Sequence, residues 1–228
     1  MTMNFFNDTS SFGSTMISAQ IPSQRNHVAQ MLREMIISGE LKSGMQLKQN
    51  EVGRNFHCSP GPVREALRDL ESEGLVIHLQ NRGVFVTEIS NREFLEMILP
   101  VRLILEKFAL RDATAKFTTQ VVGALKTQIT IMREGAKAKD KQVVNEADIK
   151  FHYITMEAAA SDQTFQLWKS VLSRVRIEFY RIGPTPNISK QAAHHQALLD
   201  ILLTNDAEAI DAALEIHIIG TVSTRLKR

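Results

Sequence analysis

The chain has 228 residues, 43% hydrophobic and 23% charged. These values lie close to the soluble globular averages of about 45–50% and about 25%, which excludes a disordered or fibrous chain. The length suffices for two packed cores, since domains cluster near roughly 100–150 residues. A single cysteine, Cys58, excludes an intramolecular disulfide, and the formal net charge of +2 does not by itself imply nucleic acid.

No apolar run approaches the roughly 18 residues of a membrane-spanning helix, and no opening segment pairs a basic stretch with an apolar one. No membrane partner and a cytoplasmic location are therefore expected. Residues 1–20 lack any sustained period and read as a flexible arm. From Ser23 onward, Val28, Met31, Leu32, Met35 and Ile36 recur at three- and four-residue intervals and Gly39 supplies a stop, which predicts an amphipathic helix. After the turn Lys42-Ser43-Gly44 a short helix is predicted around Gln49 to Phe56. A further helix follows Ser59-Pro60, carries Val63, Leu67 and Leu70, and ends at Gly74.

Leu75-Val76-Ile77 and Val84-Phe85-Val86 are β-branched and aromatic runs separated by Gln80-Asn81-Arg82-Gly83, a hairpin signature. Beyond Ser90 the pattern is helical to the end, interrupted by Pro100, Gly123, Gly135 and Gly183-Pro184-Thr185-Pro186. Pro100 should kink or break the first long helix. The predicted fold is mainly α: a winged helix-turn-helix over residues 21–88 and an all-α helical bundle over 89–228, with the boundary near 87–92.

Three short helices and a hairpin suit a domain whose third helix enters the DNA major groove while the wing touches backbone or minor groove. Ser59 can cap that helix, Pro60 suits its first position, and the amides there can receive a phosphate. Arg64, Arg68 and Arg82 supply cations. Residues 21–87 hold eight Lys or Arg against seven Asp or Glu, so the pattern alone also allows an ordinary α+β domain with solvated arginines. Cys58 reads as a small core residue in the turn.

In the helical region His152 shares a stripe with Ile149, Met156 and Ala159. His195 shares one with Leu198, Leu199 and Leu202, and His217 with Ile210, Ala213 and Leu214. All three are predicted to face inward. A single inward histidine is usually a satisfied core residue, but three on separate helices are not so easily dismissed. Asp148, one turn before His152, lets a carboxylate and an imidazole bind one ion. His27, His57 and His78 read as surface residues.

Glu40-Leu41-Lys42-Ser43-Gly44, Pro62-Val63-Arg64-Glu65-Ala66-Leu67, Glu73-Gly74-Leu75-Val76 and Asn81-Arg82-Gly83-Val84-Phe85-Val86 together resemble the DNA-binding domain of the GntR family of bacterial transcription regulators. The resemblance implies that Asn50, the segment Ser59 to Arg64 with Gly61 and Pro62, and the wing tip Arg82-Gly83 approach DNA. The chain departs from the family where Ser-Arg-Thr-Pro is common: it has Ser59-Pro60-Gly61-Pro62, and Pro60 has no donor for a base. Glu146-Ala147-Asp148-Ile149-Lys150-Phe151-His152, the tract from His195 to Leu202, Asn205-Asp206 and His217 resemble the all-helical ligand domain of the FadR-type subgroup. That resemblance implies a divalent transition metal, zinc or nickel, held by Asp148, His152, His195 and His217, with the metal in turn holding a small organic acid. His194 stands where the family usually has an acidic residue, and His195 is the ligand expected from its spacing to His217. Val101-Arg102-Leu103-Ile104-Leu105-Glu106 resembles the subgroup's first long helix, whose arginine often faces the pocket. Arg102 is thus a candidate effector ligand, the alternative being an ion pair with Glu106 on the same helix face.

The expectation is a ligand-responsive regulator of double-stranded operator DNA, dimeric and a repressor, rather than an enzyme. Two rivals are a regulator that senses the metal itself and a metal-dependent hydrolase. The hydrolase fits poorly, because no independently placed general base accompanies the cluster.

Overall fold

A computed structural model of the chain describes residues 23–111, 113–182 and 188–220. The arm expected over residues 1–20 and the Gly183-Pro186 cluster lie outside them. Helix α1 (Gln24–Ile37) opens at Ser23, whose side chain accepts the Asn26 amide, and its Val28, Ala29, Leu32 and Ile36 are buried. Helices α2 (Gln49–Asn55) and α3 (Pro60–Ser72) follow, and α3 buries Val63, Ala66, Leu67 and Leu70. These side chains, spaced by three and four residues, form one apolar core with Leu47, Val76, Val84 and Val86 of the sheet.

The wing pairs β2 (Val76–Leu79) with β3 (Gly83–Val86) antiparallel, Val76 opposite Val86 and Leu79 opposite Gly83. A third strand, β1 (Gln46–Leu47), pairs with the other edge of β3. No strand is predicted there from the sequence, because two residues are too few to show a period; the buried Leu47 and the register Leu47 opposite Val84 fix it.

Two glycines have backbone reasons to be glycine. Gly74 ends α3 with φ +75°, and a Cβ there would overlap the Arg174 guanidinium. A Cβ at Gly53 would stand 3.0 Å from the Cys58 carbonyl, in the turn between α2 and α3.

Past the wing, α4 (Asn91–Glu93) runs into a π-helical segment, Phe94–Ile98, and then into α5 (Leu99–Leu110). Pro100 therefore does not break the helix. It sits within the first turn of α5, behind a stretch already wound in the wider register, where the Leu99 amide bonds the Phe94 carbonyl.

Helices α6 (Thr119–Lys137), α7 (Lys141–Ala159), α8 (Asp162–Ile182), α9 (Gln191–Leu202) and α10 (Ala207–Glu215) complete the bundle. Trp168, Phe94, Phe151, Leu125, Met132 and Leu199 are among its fully buried side chains. Helix α8 also serves the first core, because Ile177 is buried among the side chains of α1 and α3. The all-helical bundle and winged domain match the fold predicted from sequence.

Candidate DNA-binding face and metal centre

On the winged domain, α2 and the start of α3 line a surface groove of about 780 Å³ with Gln49, Asn50, Gly53, Arg54, His57, Cys58 and Pro60. Asn50, Ser59, Arg64, Arg68 and Arg82 are all exposed, and Gly61, Pro62 and Gly83 are half-buried. Two expectations about the α3 start need correction. Ser59 occupies the N-cap position with an extended backbone, yet its side chain makes no capping hydrogen bond. The supply of amides is also thin, since Pro60 and Pro62 both lack an N–H and only Gly61 is left among the first three helical residues.

The charge on this face is decided by pairing. Arg25 is bound by Asp69 and Arg33 by Glu73, the latter through two bonds of 2.8 and 2.5 Å. Lys48 pairs with Glu51 and Arg68 with Glu65. Arg54, Arg64 and Arg82 form no ion pair with the described residues; Arg82 lies over the Phe85 ring, 5.6 Å from its centroid. A nearly neutral module thus keeps three cations uncommitted on α2, α3 and the wing. Sequence reasoning passed over Arg54, whose signal was its place one helical turn after Asn50. Cys58 packs against the edge of the first core.

In the helical bundle, α7 is capped by Asp140, whose carboxylate accepts the Val143 amide at 3.0 Å. The helix turns the buried Asp148 and His152 to one interior point. His195 reaches the same point from α9. Helix α10 starts at Asp206, whose side chain accepts the amides of Glu208 and Ala209, and it runs into a π segment, Ile216–Gly220, which carries His217. His217 therefore does not continue the regular stripe of Ile210 and Leu214. The wider π turn presents it inward, a helical variant frequent at functional sites.

One ligand atom each from Asp148, His152, His195 and His217 lie within 4.8 Å of one another. His152 Nε2 is 3.0 Å from His217 Nε2, and His195 Nε2 is 3.0 Å from Asp148 Oδ1. The far sides of two rings are held. His195 Nδ1 donates to the Gln191 carbonyl at 2.9 Å, and His152 Nδ1 donates to Glu106 Oε2 at 3.0 Å. With Nδ1 carrying the proton, each neutral ring turns an Nε2 lone pair to the centre. His195 Nε2 is buried and has no hydrogen-bond partner, although the Asp148 carboxylate is beside it. A cation between the two would satisfy both groups.

Burial pushes the His152 imidazole below its ordinary value, only partly opposed by Glu106. Burial also pushes His217 well below its ordinary value, and the neighbouring imidazoles of His195 and then His152 lower it further. Burial would raise the Asp148 carboxyl, but His195 and then the other two imidazoles outweigh it and hold it below the usual range. His152 and His217 biased to the neutral form, beside an ionised Asp148, are in the protonation state in which such side chains ligate a metal. Donor types and directions therefore fit a divalent ion.

Glu106, wholly buried, organises the side of the cluster next to α5. Its Oε1 accepts Arg102 Nε at 2.7 Å and Trp168 Nε1 at 2.9 Å, and its Oε2 accepts His152. Burial would raise this carboxyl, yet the Arg102 guanidinium and then His152 hold it well below the carboxylate range. The expectation for Arg102 as an effector ligand meets this geometry: the buried guanidinium commits Nε to Glu106, the alternative weighed from sequence. Its charge still acts on His152 and His217. Glu106 as a histidine-orienting group was missed from sequence; its only signal was the four-residue step from Arg102. His194 is exposed, while His195 beside it is buried.

Among the described residues no helix is long and apolar enough to cross a membrane. The chain is similar to the "Gluconate operon transcriptional repressor" of Bacillus licheniformis, 28% identical over 173 residues that cover 76% of this chain and 70% of the relative. It is also similar to the "Probable D-xylose utilization operon transcriptional repressor" of Paenarthrobacter nicotinovorans, 26% identical over 201 residues, 85% of this chain and 87% of the relative. Among solved structures, a GntR regulator from Rhodococcus sp. RHA1 superposes with a TM-score of 0.72 at 25% identity, covering 90% of this chain and 98% of that one. E. coli McbR/YncC shares the fold, with a TM-score of 0.75 at 19% identity over 90% of this chain and 98% of that one. Residues 24–86 match the family described as "Bacterial regulatory proteins, gntR family", and residues 97–220 match the "FCD domain". The chain belongs to the FCD branch of the GntR family of transcription regulators, and is a regulator rather than an enzyme.

Proposed function

We propose that the chain is a homodimeric repressor that leaves its operator when a small carboxylate binds a divalent metal, zinc or nickel, held by Asp148, His152, His195 and His217. One observation carries this reading: one nitrogen each of His152, His195 and His217 and a carboxylate oxygen of Asp148 converge on one interior point, where the buried His195 Nε2 has no hydrogen-bond partner. When bound, the ion would supply positive charge and open coordination positions suited to a carboxylate and a neighbouring hydroxyl or keto oxygen. Glu106 and the Gln191 carbonyl fix which nitrogen of His152 and His195 faces the site. Arg102 adds positive charge beside it, acting through its field because Nε is committed to Glu106. Asn50, Ser59, Gly61, Pro62, Arg64, Arg68, Arg82 and Gly83 form the proposed DNA surface.

The relative named for a gluconate operon supports sugar acids as the first acids to test. An acid shifts operator binding only by preferring one arrangement of the bundle over another. The test follows operator binding by fluorescence anisotropy while metal and organic acids are added separately to chelator-stripped protein. Release only when both are present is expected. Release by metal alone, with acids adding nothing, would make the chain a metal sensor, and no response to either would reject the reading.

A further inference from the structure

A cleft of about 560 Å³ opens where the winged domain rests on the bundle. The C-terminal halves of α1 and α3 line one side through Arg33, Ser72 and Glu73, and α7 and α8 line the other. That volume falls in the range of small-molecule sites, roughly 300–1,000 Å³. Ile149 and Leu172, both buried, and the half-buried Tyr153 give it an apolar lining.

Its charge is unbalanced. Four cations, Arg33, Lys150, Lys169 and Arg176, line it against two carboxylates, Glu73 and Glu146. The carboxylates are already committed. Glu73 holds Arg33 through two bonds, and both oxygens of Glu146 lie 3.1 Å from one guanidinium nitrogen of Arg176. The Lys150 and Lys169 ammonium groups form no hydrogen bond or ion pair with the described residues. Each lies over an aromatic ring instead, Lys150 4.7 Å from the centroid of Tyr153 and Lys169 5.2 Å from that of Phe165. The Ser170 hydroxyl accepts from Arg174 at 3.0 Å, and its own proton goes to no described residue. Arg176 Nε is buried without a partner. The cleft thus concentrates a formal excess of two positive charges, as large as the net charge of the whole chain.

We propose that this cleft is a second ligand site, built for a small organic dianion. Lys150, Lys169 and Ser170 bind its charged groups, and Ile149, Leu172 and Tyr153 cover its carbon body. A phosphate monoester and a dicarboxylate both supply that charge. The metal cluster does not account for the cleft, because Lys150 is two residues from both Asp148 and His152 and so stands about 200° from each around α7. Operator phosphate does not account for it either. Ser72 lies roughly 18 Å along α3 from Pro60, at the opposite end of the helix from the proposed DNA surface. A ligand in the cleft touches both domains at once and holds one against the other.

The inference is independent of the metal-held acid proposed above, and it is tested without DNA. Isothermal titration calorimetry of the metal-loaded full chain uses glucose 6-phosphate, succinate and inorganic phosphate as probes. At least one organic probe is expected to bind with a Kd below about 1 mM, and more tightly than inorganic phosphate, which has no carbon body to cover. Which of the two binds tells a phosphate monoester from a dicarboxylate. The variant Lys150→Ala/Lys169→Ala should weaken that binding by about 10–100-fold, through loss of charge-assisted bonds. Its helicity and metal content should match the wild type, since both changes place a good helix former on a helix. Stripping the metal with a chelator should leave the affinity unchanged. Four results would overturn the proposal: no binding of either organic probe, inorganic phosphate binding as tightly as they do, wild-type affinity in the double lysine variant, or binding that disappears with the metal. The last would place the acid on the metal, in support of the function proposed above.

Discussion

Glu106 accepts the Nδ1 proton of His152 at 3.0 Å, and through that single bond decides which nitrogen of the ring faces Asp148, His195 and His217. The same carboxylate takes Arg102 Nε and Trp168 Nε1. Three donors on three helices thus converge on one buried anion, and the geometry of the candidate metal centre depends on a residue that is not itself one of its ligands.

Glu106→Gln tests this directly. The glutamine keeps the shape but loses the charge, so Arg102 is left buried without its counter-ion. Breaking a buried pair from one side costs about 3–5 kcal/mol, and loss of an orienting partner typically costs about 10–100-fold in metal affinity. A fall in melting temperature together with weaker metal binding in a competition assay is expected. Wild-type metal affinity in the variant would show that His152 is oriented without Glu106.

The pH dependence of the metal-free protein follows from the same groups. Burial lowers His152 and His217 in the folded chain relative to their ordinary value of about 6.5. The unfolded chain therefore binds more protons than the folded one as pH falls through that value, and stability declines with acid. Asp148 and Glu106, both held below the usual carboxylate range, have the same sign at lower pH: their contribution is present above the unfolded carboxylate values and lost beneath them. Melting temperature should be level above about pH 7 and fall progressively below roughly pH 6.5. A melting temperature that rises on acidification across that range would contradict the buried neutral state of the two imidazoles.

His194 and His195 separate ligand from neighbour. His195 is buried with Nδ1 tied to the Gln191 carbonyl, whereas His194 is exposed on the adjacent helix position. His195→Ala should abolish stoichiometric binding of a divalent metal by elemental analysis, and His194→Ala should retain most of it. Equal metal content in the two variants would displace His195 from the site.

Much of this was legible in the chain because helical spacing is a strong signal. The stripes through His152 and His195, the hairpin around Asn81-Arg82-Gly83 and the helical bundle all follow from which residues must be apolar together. Three features were not legible, each for a physical reason. The strand Gln46–Leu47 is too short to show alternation. The π segments at Phe94–Ile98 and Ile216–Gly220 change the residue period where the α pattern is assumed, so Pro100 reads as a break and His217 as part of a regular stripe. The role of Glu106 depends on donors from α7 and α8, 46 and 62 residues away in sequence, and no local pattern encodes that.

Ion pairing also ranks the arginines of the winged domain. Arg68 is held by Glu65 at 2.8 Å, while Arg64, on the same helix, and Arg54, in the groove beside α3, form no ion pair with the described residues. A cation already neutralised by a carboxylate attracts phosphate less and must break that pair to reach a base. Arg64→Ala should therefore cost about 1–3 kcal/mol of operator affinity, with Arg54→Ala comparable. Arg68→Ala should cost less than either. Arg82→Ala, at the wing, should weaken binding to all sequences and flatten its salt dependence by about one unit of slope if it meets phosphate. Anisotropy titrations of the four variants across a salt series, with unchanged melting temperatures as a control for folding, measure the ranking. A larger loss from Arg68→Ala than from Arg64→Ala would mean that the pair with Glu65 opens on DNA and that Arg68 is the principal contact.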